Sequence, residues 1–508
     1  MPAGVNQTIA KNTLALYFRS IIVMLVSLYT SRVVLGTLGA DDFGVYNVVG
    51  GVVVLFSFIQ GAMATATQRY LNYELGKGDS DAVNRVFSMS MTVHIAIAIL
   101  IVMLSETVGL WFLNTQMQIP PERHRAAQWV YQFSIVTCCI NILRVPYNAS
   151  IIAYERMSFY AYVSILEVLM KLAIVYLLLL TNDDKLIVYS LLMFIVPVAI
   201  SIVYRQFCRR KFSTCHYHLF WDKNLFKEIF GFSAWSLFGS LANLGATQGI
   251  NIILNIFCGV AVNAAMGLAQ QVNAAVNQFI TNFQTAFVPQ LVKLYAKDER
   301  DEFIKLIFRS SKLSYYLILI IGLPVIVYAR PLLSLWLHDV PEYTVQFTQL
   351  MIVFSMIDAL SGPLWNSVQA IGKIRNYQIL VASIISLNVP FAYLVLKLGF
   401  SPIVVLAVRV VINLVLHFVR IFYLRGIFGF PSWQYIKGVM FRVLVVTLFS
   451  LPLPVLIFRR MPSPSTVVLF AYIVMIVFQT CAIVALLGLN SEERNVAKCS
   501  LKMKILGK

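Results

Sequence analysis

A few charged side chains interrupt long apolar stretches of this sequence, where ionised groups are rare. They are Arg19, Glu167, Lys171, Asp358 and Arg409. A charge at the centre of a bilayer costs at least about 2.5–3.5 kcal/mol, so such residues usually bind substrates or ions, or pair with one another. Arginine also presents a planar fork of N–H donors that suits phosphate and carboxylate groups. These residues predict a binding site within membrane-spanning helices.

Arg19 shares the first apolar segment with Arg32, about 20 Å further along a helix. One interpretation is that Arg19 binds an anionic group of the substrate and that Arg32 receives it near the outer side. The other interpretation is that both side chains extend to the lipid headgroups on opposite sides of the membrane.

Glu167 and Lys171 are spaced i, i+4 and therefore share one helix face. They form either a structural ion pair or a proton or cation site in which Lys171 couples Glu167 to substrate binding. Asp358 and Arg409 lie on different segments. They are predicted to neutralise each other, and the alternative is ion coupling by Asp358 and substrate binding by Arg409.

Carboxamides are dense in two neighbouring segments of the second half. Amides donate and accept hydrogen bonds, which suits sugar hydroxyls. Their helical spacing predicts one polar stripe on each segment, which is either hydrogen-bonding glue between helices or the wall of a hydrated cavity. The number of amides favours the cavity. The stripe residues are Gln248, Asn251, Asn255, Gln270, Asn273, Asn277 and Gln284.

The composition excludes a soluble protein. Of the 508 residues, 59% are hydrophobic and 12% are charged, the mean hydropathy is +0.79, and a soluble domain carries about 25% charged residues. The net charge of +18 would suggest nucleic acid in a soluble protein. Here the basic residues lie between apolar spans, so they report membrane topology and no nucleic acid is expected.

Apolar segments long enough to span a bilayer recur along the chain. The first is too long for a signal-peptide core and is predicted to remain as a span. With the N-terminus inside, 29 of the 40 Lys and Arg lie on the cytosolic side, including Arg144 and Arg420. This bias predicts both termini in the cytosol. The fourteen predicted spans are 12–35, 43–66, 86–113, 127–152, 158–180, 185–206, 228–256, 264–288, 311–336, 344–370, 376–397, 402–424, 438–458 and 465–488.

A weak internal repeat agrees with this count. The stretch QRYLNYELGKGDSDAVNRVFS (68–88) parallels PQLVKLYAKDERDEFIKLIFR (289–309). The fold class predicted is an all-α integral membrane protein with two six-helix bundles, related by pseudo-two-fold symmetry, and two C-terminal helices. The predicted domains are 1–227, 228–430 and 431–508. Parallel repeats of this kind commonly enclose a substrate path.

The runs LGADDFGVYN (38–47) and ATQRYLNYELGKGD (66–79) resemble bacterial polysaccharide-biosynthesis flippases of the O-antigen repeat-unit type. These belong to the superfamily of multidrug and toxic-compound extruders and peptidoglycan lipid flippases. The resemblance implies a secondary transporter in the bacterial inner membrane. Its substrate would be an undecaprenyl-pyrophosphate-linked oligosaccharide, moved from the inner to the outer leaflet by alternating access. Arg19 would hold the pyrophosphate. Membrane lipids, H⁺ or Na⁺ as a coupling ion, and polysaccharide polymerases are the expected partners.

Two rival functions stand beside this one. A multidrug–cation antiporter of the same fold should have an acidic residue deep in the first or seventh span, and only Glu228 lies near, at the edge of the seventh. A membrane glycosyltransferase or polymerase should carry catalytic groups on sizeable external loops, and the predicted loops are short. No nucleotide-binding, hydrolase or zinc-protease motif occurs, so no enzyme activity, cofactor or metal is predicted.

Overall fold

The computed structural model describes residues 3–54, 57–115, 120–181, 183–337, 340–461, 464–490 and 493. Every regular element in this part of the chain is a helix. The chain divides into two compact units. One is Ala10–Leu237, and the other is the described part of Phe238–Lys508 together with that of Met1–Ile9. The boundary falls inside a long helix, α8.

The first unit contains α1 from residue 10 onwards, α2 to α7 and the start of α8. The long α1 is two helices joined at Gly39, whose φ of 81° is left-handed and therefore favours glycine. The bounds are α1 Ala3–Val54, α2 Ser57–Lys77, α3 Ser80–Leu104, α4 Leu110–Thr115, α5 His124–Ala153, α6 Met157–Leu178, α7 Lys185–Lys211 and α8 Lys223–Ala296.

The second unit repeats this order. Its first long helix, the rest of α8, is broken at Gly259 with the same φ of 81°. The helix α9, which starts at residue 300, corresponds to α3 of the first unit, which starts at residue 80. In the same way, α11 starts at residue 344 and corresponds to α5, which starts at residue 124. The bounds are α9 Arg300–Val327, α10 Ala329–Trp336, α11 Thr344–Ile371, α12 Arg375–Ser386, α13 Asn388–Lys397, α14 Pro402–Phe428, α15 Ser432–Tyr435, α16 Phe441–Ser450, α17 Pro452–Arg460 and α18 Thr466–Ile483.

Eleven helical segments of the described chain are long and apolar enough to cross a membrane, which makes this a multi-pass membrane protein of the predicted all-helical class. Apolar side chains such as Phe478 and Val467 are largely exposed, as lipid-facing residues are. The predicted first span is represented by a shorter apolar helix, Asn12–Ser27. The predicted eighth span lies in α8 after Gly259, where the amides reduce its hydropathy.

Local chemistry explains how α3 packs against α5. A single turn of π-helix, Ser105–Gly109, follows α3. The hydroxyl of Tyr131 donates to the carbonyl of Ser105 at 2.7 Å. Gly109 lies directly against the Tyr131 side chain, where any Cβ would clash with the hydroxyl. The π-turn and the glycine therefore allow the tyrosine on α5 to approach the backbone closely.

Arg123, just before α5, connects three helices of the first unit. Its guanidinium contacts Asp42 of α1 at 2.6 Å and Asp184 at 2.8 Å. Asp184 also accepts from the amide of Leu186 and so caps the first turn of α7. This network fixes α1, α5 and α7 relative to one another, and α1 and α5 carry candidate site residues.

The last helices are attached to α9 by a buried ion pair. Lys312, whose side chain is 3% exposed, contacts Glu493 at 2.8 Å. Tyr316, one turn further along α9, donates to the carbonyl of Gly488. Breaking a buried pair leaves an uncompensated charge, which usually costs about 3–5 kcal/mol.

We therefore expect Glu493→Gln to lower the free energy of unfolding by about 3 kcal/mol, measured by denaturation of the purified protein in mixed detergent micelles. The matched control is Glu302→Gln, since Glu302 pairs with the largely exposed Lys305 at 3.0 Å. That variant should lose less than about 1 kcal/mol. Equal losses in the two variants would contradict the structural role of the Lys312 pair.

Candidate functional site

The predicted ion pair on α6 forms near the middle of this helix. The ammonium of Lys171 lies 2.8 Å from Oε1 of Glu167, one helical turn away. Both side chains are partly buried, with exposed fractions of 32% and 21%. The i, i+4 spacing of the sequence thus places them on one face, as expected.

A second cation reaches the same carboxylate from α5. Arg144 contacts Oε2 of Glu167 at 3.3 Å and is 20% exposed. Its guanidinium also lies 5.6 Å from the centre of the Tyr204 ring on α7. The charge count assigned Arg144 to the cytosolic boundary. In the structure it lies inside α5, which ends at Ala153, close to the end of the predicted span 127–152. Glu167 therefore bridges two cations, one on each of two helices.

Arg19 of α1 faces the same group of residues. Its guanidinium lies 4.6 Å from the centre of the Tyr160 ring on α6, within the range of a cation–π interaction. The Nε of Arg19 is buried and has no hydrogen-bond partner. A donor in this state favours a ligand that can accept from it, because an unsatisfied buried donor is costly.

These side chains line one cavity of about 350 Å³ within the first unit. Its described walls hold three cationic side chains and one carboxylate, a formal excess of two positive charges. Such an excess at low dielectric attracts an anion and disfavours a second cation. The polar and charged lining residues are Arg19, Ser27, Asn141, Arg144, Asn148, Tyr160, Ser164, Glu167, Lys171 and Tyr204. The side chain of Arg32 lies outside the described residues, so its predicted role stays a prediction.

The amide stripe of α8 contacts other helices of the second unit. The Nε2 of Gln270 donates to Oδ1 of Asn251 at 3.2 Å. Asn277 donates to Oγ of Ser355 on α11, and that hydroxyl donates to Oδ1 of Asn273 at 2.7 Å. Asn273 and Asn277 therefore share a face, as their spacing predicts, and in the structure that face is a contact between α8 and α11.

Of the remaining predicted amides, two contact other residues and the third is exposed. The Gln284 amide lies against Gly362 of α11, where any Cβ would clash with it. Gln248 accepts from Asn251 at 3.2 Å, and Asn255 is exposed. These pairs fit the hydrogen-bonding glue interpretation of the stripe. None of the seven predicted amides lines either of the two cavities described for the units.

A second cavity of about 180 Å³ lies within the second unit. Asp358 and Arg409 both line it, as does Arg420, which the charge count also placed at the cytosolic boundary. The carboxylate of Asp358 lies 3.8 Å from Arg420. Arg409 instead lies over the Phe354 ring, 4.6 Å from its centre. Asn243, Asn388 and Asn413 also line this cavity. They were not among the predicted site residues because they belong to no amide stripe.

Among the described residues, no group of three or more His, Cys, Asp or Glu side chains could hold a metal ion.

The bridging role of Glu167 predicts strong thermodynamic coupling. In a double-mutant cycle of Arg144→Gln and Glu167→Gln, we expect a coupling energy of about 1–3 kcal/mol in the free energy of unfolding. The matched control in the same unit is the more exposed Glu74–Lys77 pair, whose charges are 3.8 Å apart. Its coupling should stay below about 0.5 kcal/mol. Coupling that is equally small for both pairs would show that Arg144 and Glu167 do not interact.

No protein-family model and no curated protein matches the sequence. Solved structures do match the fold. A point mutant of a MATE transporter is 13% identical with a TM-score of 0.73, over 85% of this chain and 97% of that one. An outward-facing multidrug resistance MATE family transporter of the MOP superfamily is 14% identical, with a TM-score of 0.73, over 83% and 95%. A MOP superfamily transporter from Pyrococcus furiosus, described by the reverse polarity of its binding pocket, is 14% identical with a TM-score of 0.72, over 85% and 96%. The chain therefore has the fold of the MATE transporters.

Proposed function

We propose that this protein is a secondary transporter that moves an anionic, lipid-linked oligosaccharide across the membrane. The substrate class is an undecaprenyl-pyrophosphate-linked glycan, translocated from the inner to the outer leaflet by alternating access. The observation that carries the proposal is the excess of cationic side chains in the first cavity. Arg19, Arg144 and Lys171 surround a single carboxylate, Glu167.

The proposal assigns a separate role to each charge. Arg19 and Arg144 offer guanidinium forks, which match phosphate oxygens in geometry and charge. Lys171 adds a more compact charge on the α6 side. Glu167 holds Arg144 and Lys171 in place at 3.3 and 2.8 Å, so that the site keeps its shape without ligand. An inside-negative membrane potential then favours outward movement of the anionic head by about 2.3 kcal/mol per charge per 100 mV.

The rival function is export of cationic drugs, because one structural neighbour is described as a multidrug resistance transporter. The Pyrococcus furiosus neighbour is described as having a pocket of reverse polarity that suggests a different function. Pocket polarity is therefore the property by which we choose between the functions. In the described lining of the first cavity, the carboxylate that a cationic drug would need is already bound by two cations. Coupling to H⁺ or Na⁺, contacts with a polysaccharide polymerase and an inner-membrane location remain parts of the proposal.

The proposal predicts that the reconstituted protein exposes lipid-linked oligosaccharide to a membrane-impermeant lectin on the far side of proteoliposomes. The same vesicles should not move a lipophilic cationic dye. Dye movement without any change in glycan accessibility would overturn the flippase function and favour the multidrug alternative.

Arg19→Gln and Arg144→Gln should each slow translocation by about tenfold or more, since a hydrogen bond to a charged group is worth about 1.5–3 kcal/mol. Arg85→Gln is the control, because Arg85 is an exposed arginine of the same unit that does not line the cavity. All three variants should still insert into the membrane, which is measured by the yield of folded, monodisperse protein. Normal translocation by Arg144→Gln would remove that residue from the site.

A further inference from the structure

Two arginines line the cavity of the second unit, and the residues around them leave some of their N–H groups without a hydrogen-bond acceptor. Arg409 and Arg420, both on α14, are each only 9% exposed. Their helix is among those apolar and long enough to cross a membrane. Burying two guanidinium groups on one apolar helix is costly, so their surroundings should show what compensates them.

The contacts of Arg409 are weak for a buried cation. Its NH2 lies 3.4 Å from the Thr247 hydroxyl, and its guanidinium lies over the Phe354 ring. Its NH1 is buried and has no hydrogen-bond partner. Arg409 therefore lines the cavity and keeps one donor that no residue of the described chain satisfies.

Arg420 is compensated only in part. Its NH1 lies 3.8 Å from Oδ1 of Asp358, beyond the usual hydrogen-bond distance, and its buried Nε has no partner. The Asp358 side chain is 56% exposed, so water screens its charge. The described lining of this cavity thus holds two guanidinium groups and one carboxylate, a formal excess of one positive charge.

We propose that this cavity is a second anion-binding site, separate from the first-unit cavity, that takes one oxyanion group, either a phosphate or a carboxylate. The unused N–H groups of Arg409 and Arg420 would donate to it. The buried Oδ1 of Asn388, which has no partner, can accept from a hydroxyl of the ligand or from a water molecule. At about 30 Å³ per water, a volume of about 180 Å³ is large enough for an oxyanion with a few waters.

In such an anion site, Asp358 would not bind a coupling ion. A bound cation would lie beside two guanidinium groups, which repel it. An anion would instead compete with the Asp358 carboxylate for Arg420. The charge of Asp358 should therefore weaken anion binding, whereas at a cation site it would strengthen binding. The two roles predict opposite effects of removing it.

The test uses equilibrium binding of ³²P-labelled inorganic phosphate to the full-length protein in detergent at constant ionic strength. Arg19→Gln and Arg144→Gln are introduced together, so that the first cavity does not contribute. This variant should bind one phosphate per chain saturably. Loss of translocation in the same variant would concern the proposed function alone, because phosphate binding is measured independently of transport.

Further substitutions in this background define the site. Arg409→Gln should weaken phosphate binding at least tenfold, and Arg409→Lys, which keeps the charge, should weaken it less. Asp358→Asn should tighten binding several-fold. Arg459→Gln, an exposed arginine at the end of α17, is the control and should have no effect. Unchanged binding in Arg409→Gln, no saturable phosphate binding, or Na⁺ binding that Asp358→Asn abolishes would each overturn the proposal.

If Arg409→Gln fails to fold, Arg409→Lys and Asp358→Asn still decide the question, because the latter changes an exposed side chain. Competition by glucuronate identifies the source of the oxyanion. Displacement of phosphate by glucuronate indicates an acidic sugar or another carboxylate as a ligand, whereas resistance to glucuronate limits the site to free phosphate. Failure of unlabelled phosphate to displace the label would also overturn the proposal.

Discussion

The contact between Glu167 and its two cations is the constraint on which the first cavity depends. Three helices bring Arg19, Arg144 and Lys171 into an apolar unit, and without a counter-charge their mutual repulsion and loss of water would be costly. A single carboxylate at 2.8 Å from one cation and 3.3 Å from another reduces that cost while leaving a net positive charge. The remaining positive charge is what favours an anion in the cavity.

The same balance recurs in the second unit with different residues. There Asp358 partly compensates Arg420, and Arg409 rests on an aromatic ring. The two units share an element order, including the glycine breaks at residues 39 and 259. Because each unit encloses its own partly compensated arginines, the sign of the charge is a common property of both cavities. This sign is the observation on which we base the proposed anionic substrate.

Much of the architecture could be predicted from hydropathy and charge, because the bilayer imposes a helix length and the flanking charges mark the ends. The i, i+4 pair on α6 and the shared face of the α8 amides also followed from helical periodicity alone. Periodicity does not tell which neighbour covers a face. In the structure α11 covers the amide stripe through Ser355.

Arg144 and Arg420 are two cavity residues that the sequence analysis did not identify as site residues. Both residues fall inside the predicted spans 127–152 and 402–424, as they do inside α5 and α14, but the charge count grouped them with the basic residues of the cytosolic side. Each arginine thus lies about 12–14 Å from the end of its helix. The sequence contained a signal for both, since an arginine within an apolar stretch needs a partner. Their partners, Glu167 and Asp358, lie on other helices, and only the packing of the unit identifies them.

The central claim is that the first cavity receives the anionic head of a lipid-linked substrate. The most direct measurement is an experimental structure of the protein in lipid nanodiscs, determined with undecaprenyl diphosphate and again with a lipophilic organic cation. We expect diphosphate density within hydrogen-bond distance of Arg19 and Arg144, and no density for the organic cation beside Glu167. Density for the organic cation against Glu167, with the diphosphate absent from the cavity, would contradict it.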